Sequence, residues 1–365
     1  MSTLSAFDEL CDPRQPHLIK YELKSLVFIT ISAVLSGFET FTEIALFSAE
    51  KRDWITRFVP LPEAHTPSHD VFGDLYASLC PEQFSQCFVS WVSQVSQITS
   101  GELIAIDGKT LRGSFDKHDK KAAIHMVSAW SAENGLALGQ VKTDDKSNEI
   151  TAIPALLELL ETSGAIISID AMGCQKSIAK NIIDRKADYI LALKSNQPAL
   201  MEQVLGAFDA IEPASVAESI EKGHGRIETR KCTLVTDLGL IDETLNWPSL
   251  NAVVRIESTR EDALSGTRTT QTRYYISSLK APAQRFNQLI RQHWGIENTL
   301  HWTLDVTFAE DRSRIRRKNG DQNFATIRRI AFNILKLNQA KQSMNVKRKK
   351  AGINDSFREE LLRLE

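Results

Sequence analysis

The stretch Leu103-Ile104-Ala105-Ile106-Asp107 decides the fold, because Ile166-Ile167-Ser168-Ile169-Asp170 repeats its form: a short apolar run that ends in an aspartate. Each has the pattern of a buried strand. Two such strands side by side would deliver Asp107 and Asp170 together at their C-terminal ends, where open sheets put their sites. A third acid, Glu297, stands in His293-Trp294-Gly295-Ile296-Glu297, among Phe286, Ile290, Leu300 and Leu304 at spacings of three and four. That spacing turns Glu297 toward an apolar helical stripe, where a lone carboxylate is costly unless paired or bound to metal. Acids from two strand ends and one helix suit hard divalent cations, which prefer carboxylate oxygens. A pair of such ions clamps the attacking and leaving oxygens of a phosphodiester displacement. Taken singly, each aspartate reads more simply as a strand-end turn residue; the pair together with Glu297 weighs against that.

Working outward, Ile124–Trp130 and Leu136–Thr143 read as antiparallel partners of the first strand, joined through Glu133-Asn134-Gly135. A helix is expected over Ile150–Glu161, then the strand Ile166–Asp170, a helix over Lys176–Lys186 and the strand Tyr189–Lys194. The order β-β-β-α-β-α-β predicts an α/β fold with a mixed sheet. Alternating segments at Ile227–Thr236, Ala252–Glu257 and Gln271–Ile276 predict a β-rich insertion, and helical periodicity resumes at Pro282. Ahead of the first aspartate, Leu18–Phe38 and Phe84–Val95 carry helical spacing, broken by Pro60-Leu61-Pro62 and Thr66-Pro67. Ser68 is expected to cap a helix beginning near Asp70. The expected division is a helical domain over 1–98, a core over 99–196, the insertion over 197–278, the second part of the core over 279–340 and a charged tail over 341–365.

The net charge of −2 does not favour a nucleic-acid partner, but its distribution does. From Asp311 to Lys350 there are 13 Lys and Arg against 2 acids, densest at Arg312–Lys318 and Lys347–Lys350. A basic face in a near-neutral chain fits a phosphate backbone; the bland alternative is a solvated charged tail. The cysteines Cys11, Cys80, Cys87, Cys174 and Cys232 form no CxxC pair, so neither a zinc ribbon nor a disulfide framework is indicated and a reducing cytoplasm is expected. The first residues lack a secretory layout. Leu26–Phe38 is too short to span a bilayer and reads as a buried helix.

Asp107-Gly108-Lys109-Thr110 lacks the earlier glycine of a phosphate-binding loop, since Leu103 stands there. No GxGxxG follows a strand, and Ser114 and Ser128 have no evident His and Asp partners. Gly108 is instead expected to let DNA approach the backbone, with Lys109 and Arg112 on phosphates. Lys194, Asn196 and Gln197 follow a strand and could line the same cleft; His224, Arg226 and Arg230 could touch DNA. His293 could orient Glu297 or fill the core, and Trp294 and Trp302 could stack on an extruded base or pack inside.

These residues together resemble the DDE transposases of bacterial insertion sequences, in the branch of the H-repeat-associated proteins. The resemblance is carried, in order along nearly the whole chain, by Pro67–Phe72, Ile104–Ser114, Ile169–Gln175, Leu191–Gln197, His224–Arg230, His293–Asn298 and Leu304–Val306. It implies a ribonuclease H-like mixed sheet with flanking helices, interrupted by a β-rich insertion, and a metal-binding triad of Asp107, Asp170 and Glu297. Related transposases carry a Tyr, Arg, Glu, Lys signature around the glutamate, whereas the matching positions here hold Ile290, His293, Glu297 and Leu304. That departure leaves the nearby phosphate contacts to Arg291, Arg312 or Arg314. The implied activity is Mg²⁺-dependent cleavage at the ends of a mobile element followed by strand transfer, with Mn²⁺ as a substitute. The implied partner is double-stranded DNA, both element ends and target, held by a homo-oligomer, with no membrane; the implied location is the bacterial cytoplasm, on the nucleoid when acting. The competing readings are a nuclease that cuts without joining and a transposase-derived protein that binds DNA without catalysis.

Overall fold

The computed structural model describes residues 6–63, 65–115, 122–143, 149–223 and 225–363. The chain opens with α1 (Leu23–Leu35), α2 (Phe41–Glu50), α3 (Arg52–Ile55), α4 (His69–Ser78) and α5 (Pro81–Val95). Helix α1 is buried on nearly every side, as its unbroken apolar character requires. Helix α2 starts at a capping box: Thr40 Oγ1 accepts from the Glu43 N–H, and the Glu43 carboxylate accepts from the Thr40 N–H. Ser68 occupies the N-cap position of α4, but its side chain makes no capping hydrogen bond. Among the described residues no helix is long and apolar enough to cross a membrane.

The alternating elements follow: β1 (Leu103–Thr110), β2 (His125–Ser131), β3 (Ala137–Thr143), α6 (Glu149–Leu159), β4 (Ile166–Ile169), α7 (Lys176–Asp184) and β5 (Asp188–Leu193). After α8 (Pro198–Ala210) come β6 (Ser215–Gly223), β7 (Arg226–Val235), β8 (Ala252–Asp262) and β9 (Arg268–Ser277). Among the described residues these strands form one nine-stranded sheet in the order β3-β2-β1-β4-β5-β9-β8-β7-β6. β1, β4 and β5 run parallel; the other neighbouring pairs are antiparallel. This is the mixed, ribonuclease H-like sheet that the sequence predicts. The chain continues through α9 (Ala283–His293), α10 (Trp302–Val306), α11 (Gly320–Leu337), α12 (Met344–Ile353) and α13 (Asp355–Leu362).

Three findings differ from the sequence reading. Helix α8 and strand β6 were not expected. β6 is an edge strand with exposed Val216 and Ile220, so its alternation marks no apolar face. The strands expected as an insertion continue the core sheet, because β9 pairs with β5 from Ile190 to Leu193. The third concerns the basic tail, which forms α12 and α13 packed against α1 and α11. Arg348 donates to the carbonyl of Val34 at 2.8 Å and pairs with Glu39. Lys347 donates to the carbonyls of Leu335 and Asn338, at 3.0 and 2.6 Å. Arg358 donates to Ala351 at 2.7 Å and lies 3.9 Å over the ring of Trp54. The last carbonyls of a helix lack internal partners and carry partial negative charge, so these cations bind the ends of α1, α11 and α12. They do not form a free phosphate-binding face.

The sheet separates two apolar layers. One includes Ile104, Ile106, Ile167 and Ile169 with α1, α5, α6 and α11. The other joins Leu103 and Ile166 to Phe286, Leu289 and Ile290 of α9. Strand residues two apart share a face, so Asp107 follows Leu103, and Asp170 follows Ile166 and Ser168, onto the side covered by α9.

Candidate active site

Register brings the aspartates together. Ile106 pairs with Ile169 across the parallel β1–β4 ladder, so Asp107 and Asp170 are the next residues on adjacent strands. β1 runs on, with Asp107 opposite Ser128 of β2. β4 stops, and Asp170 caps a tight 3₁₀ turn over Ala171–Gly173 by accepting the Met172 N–H at 3.0 Å. Glu297 enters from above, but not on a regular helix. After α9 the backbone widens into a π-helical turn over Ile296–His301 before α10. The wide turn sends Ile296 and Leu300 into the core and leaves Glu297 exposed at the mouth of the cleft. The expectation of a core-facing Glu297 is thereby corrected. Such π turns recur at functional sites.

Asp107, Asp170 and Glu297 line one cleft of about 560 Å³, together with Lys194, Arg273 and His293. Burial pushes Asp107 up to about 7, and the charges of Glu297 and Asp170 push in the same direction. Burial and the charge of Glu149 raise Asp170, against Met172 and Gly173 N–H groups and Lys194. Burial raises Glu297 too; Arg273 draws it down and Asp170 pushes it up. Carboxyls that raise one another are like charges sharing a small volume, and such groups concentrate at functional sites. Their all-oxygen donor set fits a hard divalent cation. As placed, no three His, Cys, Asp or Glu among the described residues are drawn in tightly enough to hold a metal ion; the acids stand open around the cleft.

Two histidines brace the acids. His293 Nδ1 and Ser168 Oγ share a hydrogen bond at 2.8 Å, and burial, reinforced by Arg273, pushes His293 down to about 4. His301 Nδ1 lies 3.5 Å from Asp107 Oδ2, and burial with the charges of Arg329 and Lys109 pushes it down to about 3. Both are neutral at pH 7 and act as fixed polar contacts.

The residues expected to meet phosphate divide. Lys109 is buried and surrounded by Asp305, Glu310 and Asp311 at 2.7, 3.1 and 3.3 Å, so it is not free for DNA. Arg230 is buried against Glu221 and Glu228 at 2.8 and 3.4 Å. Asn196 donates to the Ala171 carbonyl at 2.6 Å and Gln197 to Cys174 at 2.8 Å, which ties the end of β5 to the turn after Asp170. Gly108 faces the buried His125–Glu149 pair, not solvent. Arg112, Lys194 and Arg226 are exposed. Arg312 and Arg314 are exposed beside a different, larger cleft of about 1060 Å³ against α2 and α4. Arg291 pairs with Glu221 at 3.1 Å. Trp302 is exposed, whereas Trp294 lies under Arg273, whose guanidinium sits 4.3 Å from the ring centroid. His224 falls outside the described residues. A cation of this cleft that sequence reading missed is Arg273: its strand was recognised, but only the pairing of β9 with β5 brings it into the cleft with Glu297.

Comparison with known proteins gives a consistent picture. A family profile described as "Transposase DDE domain" matches residues 99–334, and one described as "DDE_Tnp_1-associated" matches 4–92. "Putative transposase YncI" of Escherichia coli O157:H7 is 40% identical over 99% of this chain and 94% of its own length. "H repeat-associated putative transposase YhhI" of Escherichia coli K12 is 39% identical over 95% of this chain and 93% of its own.

Proposed function

The chain belongs to the DDE transposase family, and from that membership we propose that it is the transposase of an insertion-sequence element: it hydrolyses a phosphodiester at each element end and joins the freed end to target DNA. The observation that carries this reading is the convergence of Asp107, Asp170 and Glu297 on one cleft, with Asp107 pushed up to about 7 by burial and by the other two. These three side chains would hold Mg²⁺, with Mn²⁺ as a substitute, since the donor set is all carboxylate. When bound, such ions would supply charge stabilisation at the phosphoryl oxygens and ease the deprotonation of an oxygen nucleophile.

The chain's own residues supply position and charge. Adjacent strands fix Asp107, within β1, and Asp170, just past β4, and the π turn brings Glu297 to the same cleft. His301 beside Asp107 and His293 on the Ser168 hydroxyl, both neutral, fix these side chains without adding charge. Arg273 and Lys194 line the cleft as cations that meet the negative backbone, and exposed Arg112 and Arg226 extend that contact. The helices of 1–98 would grip DNA beside the core, and a homo-oligomer would hold two ends; the working place is the cytoplasm.

The test is a cleavage assay on DNA carrying the repeats that flank the gene, with Mg²⁺ and with chelator. The expected result is metal-dependent cutting at the repeat boundary followed by joined products. Cutting without joining would instead indicate a nuclease, and tight binding without cutting a DNA-binding protein that has lost catalysis.

A further inference from the structure

Glu149 is the first described residue of α6 and lies against β1 at Gly108, with no role in the steps above. It is 5% exposed. Its Oε1 lies 2.6 Å from Nε2 of His125, itself 2% exposed, and His125 Nδ1 lies 2.9 Å from Thr110 Oγ1. The approach depends on two glycines. A Cβ on Gly108, the residue after Asp107, would lie 2.7 Å from Glu149 Cδ, and closer still to Glu149 Oε1 and His125 Nε2. Gly108 has no positive φ, so its missing side chain serves space and not backbone conformation. At Gly173, in the turn that Asp170 caps, a Cβ would clash with Ile169 and reach 3.1 Å from Ile153 Cδ1 of α6. Gly108, just after Asp107, thus lets α6 settle onto β1, and Gly173, three residues after Asp170, leaves room for Ile153 of α6.

We propose that Glu149 is a fourth carboxylate of this site: a positioning residue, held by His125 and Thr110, whose negative charge behind Asp107 and Asp170 raises the affinity for a divalent cation. The inference rests on the reading of Asp107, Asp170 and Glu297 as cation-holding residues. The charge of Glu149 is felt by both aspartates, and on Asp170 it is the strongest of the neighbouring charges. A His–Glu pair placed only for stability gains nothing from standing on the sheet behind two further carboxylates. A carboxylate that adds to the field around a cation gains from it.

The experiment is Mn²⁺ binding to the full chain, followed by electron paramagnetic resonance of the free ion, for the parent, Glu149→Gln, Gly108→Ala and Asp107→Asn. Glutamine keeps an oxygen for His125 and loses only the charge. Gly108→Ala keeps every charge and pushes Glu149 off the strand, so it carries the test if Glu149→Gln fails to fold. Both are expected to weaken Mn²⁺ binding by about ten- to a hundredfold. The Mn²⁺ concentration for half-maximal cleavage should rise by a similar factor, with turnover recovering at saturating Mn²⁺; a merely structural pair would lower turnover at every concentration. Unchanged Mn²⁺ affinity in Glu149→Gln and Gly108→Ala, with loss in Asp107→Asn, would overturn this inference alone. Unchanged affinity in Asp107→Asn would overturn the cation site itself, and this inference with it.

Discussion

Asp107 and Lys109 lie two residues apart on one face of β1, and each enters a cluster of buried charge of opposite design. Around Lys109 the neighbours differ in sign: Asp305, Glu310 and Asp311 approach it, and Glu310 also pairs with Arg329 at 2.9 Å. Burial pushes Glu310 up, but Arg329 and Lys109 outweigh it and hold the carboxyl at about 2. Around Asp107 the neighbouring acids share its sign, and the carboxyl stands at about 7. Burial is common to both; the sign of the neighbours separates a structural charge cluster from one held ready for a ligand.

The largest expected effect breaks the structural cluster. Glu310→Gln leaves Arg329 buried against a neutral group, while Lys109 keeps Asp305 and Asp311, and should cost about 3–5 kcal/mol, read by urea unfolding at pH 7. A loss below about 1 kcal/mol would show that this cluster is not holding β1 to α11. The same exchange at the other cluster, Asp107→Asn, measured in chelator, should leave stability unchanged or raise it.

Next comes the tail. Arg348→Met strips one of two arginine partners from half-buried Glu39 and a donor from the end of α1 and should cost about 3 kcal/mol, while DNA affinity measured on the folded variant stays unchanged. A loss of DNA binding with full stability would return α12 to the DNA-binding surface.

The two clusters also differ in pH response. Glu310, held below its ordinary 4.5, contributes stability that is complete above that value and is lost as pH falls toward about 2. Asp107, raised from 3.8 to about 7, is costly to ionise in the folded chain, so without divalent cation stability should fall as pH rises through that interval. Asp107→Asn should shrink the second slope, leaving the smaller part that the raised Asp170 and Glu297 contribute, and keep the first, as seen in thermal unfolding across pH. The smallest effects belong to exposed cations: Arg112→Gln and Lys194→Gln should change stability by less than about 0.5 kcal/mol. Each should reduce the salt slope of DNA binding by about 1.

Much of the site was legible because strands carry a short period. Leu103-Ile104-Ala105-Ile106-Asp107 and Ile166-Ile167-Ser168-Ile169-Asp170 state their own burial, and the register confirms the pairing; only the second ends at its aspartate, since β1 runs on to Thr110 against β2. The surroundings of Glu297 were not legible, since an extra residue in a helical turn leaves the spacing of Ile290, Leu300 and Leu304 intact while rotating the glutamate outward. Charge was the poorest guide. Lys109, Arg230, Lys347 and Arg348 look like phosphate contacts in a list of residues, yet each is occupied by a carboxylate or a helix end supplied from elsewhere in the chain. Arg273 shows the converse: an unremarkable residue of an alternating strand joins the cleft of Glu297 through a pairing of its strand with β5 and draws that carboxyl down.

The most direct measurement is cleavage of element-end DNA in Mg²⁺ by Asp107→Asn, Asp170→Asn and Glu297→Gln, with DNA affinity determined in parallel. The expected result is loss of cleavage in all three with affinity kept within about threefold, a change under 1 kcal/mol. Retained cleavage in any one, or affinity lost in step with cleavage, would contradict the assignment of these three acids as the cation-holding centre.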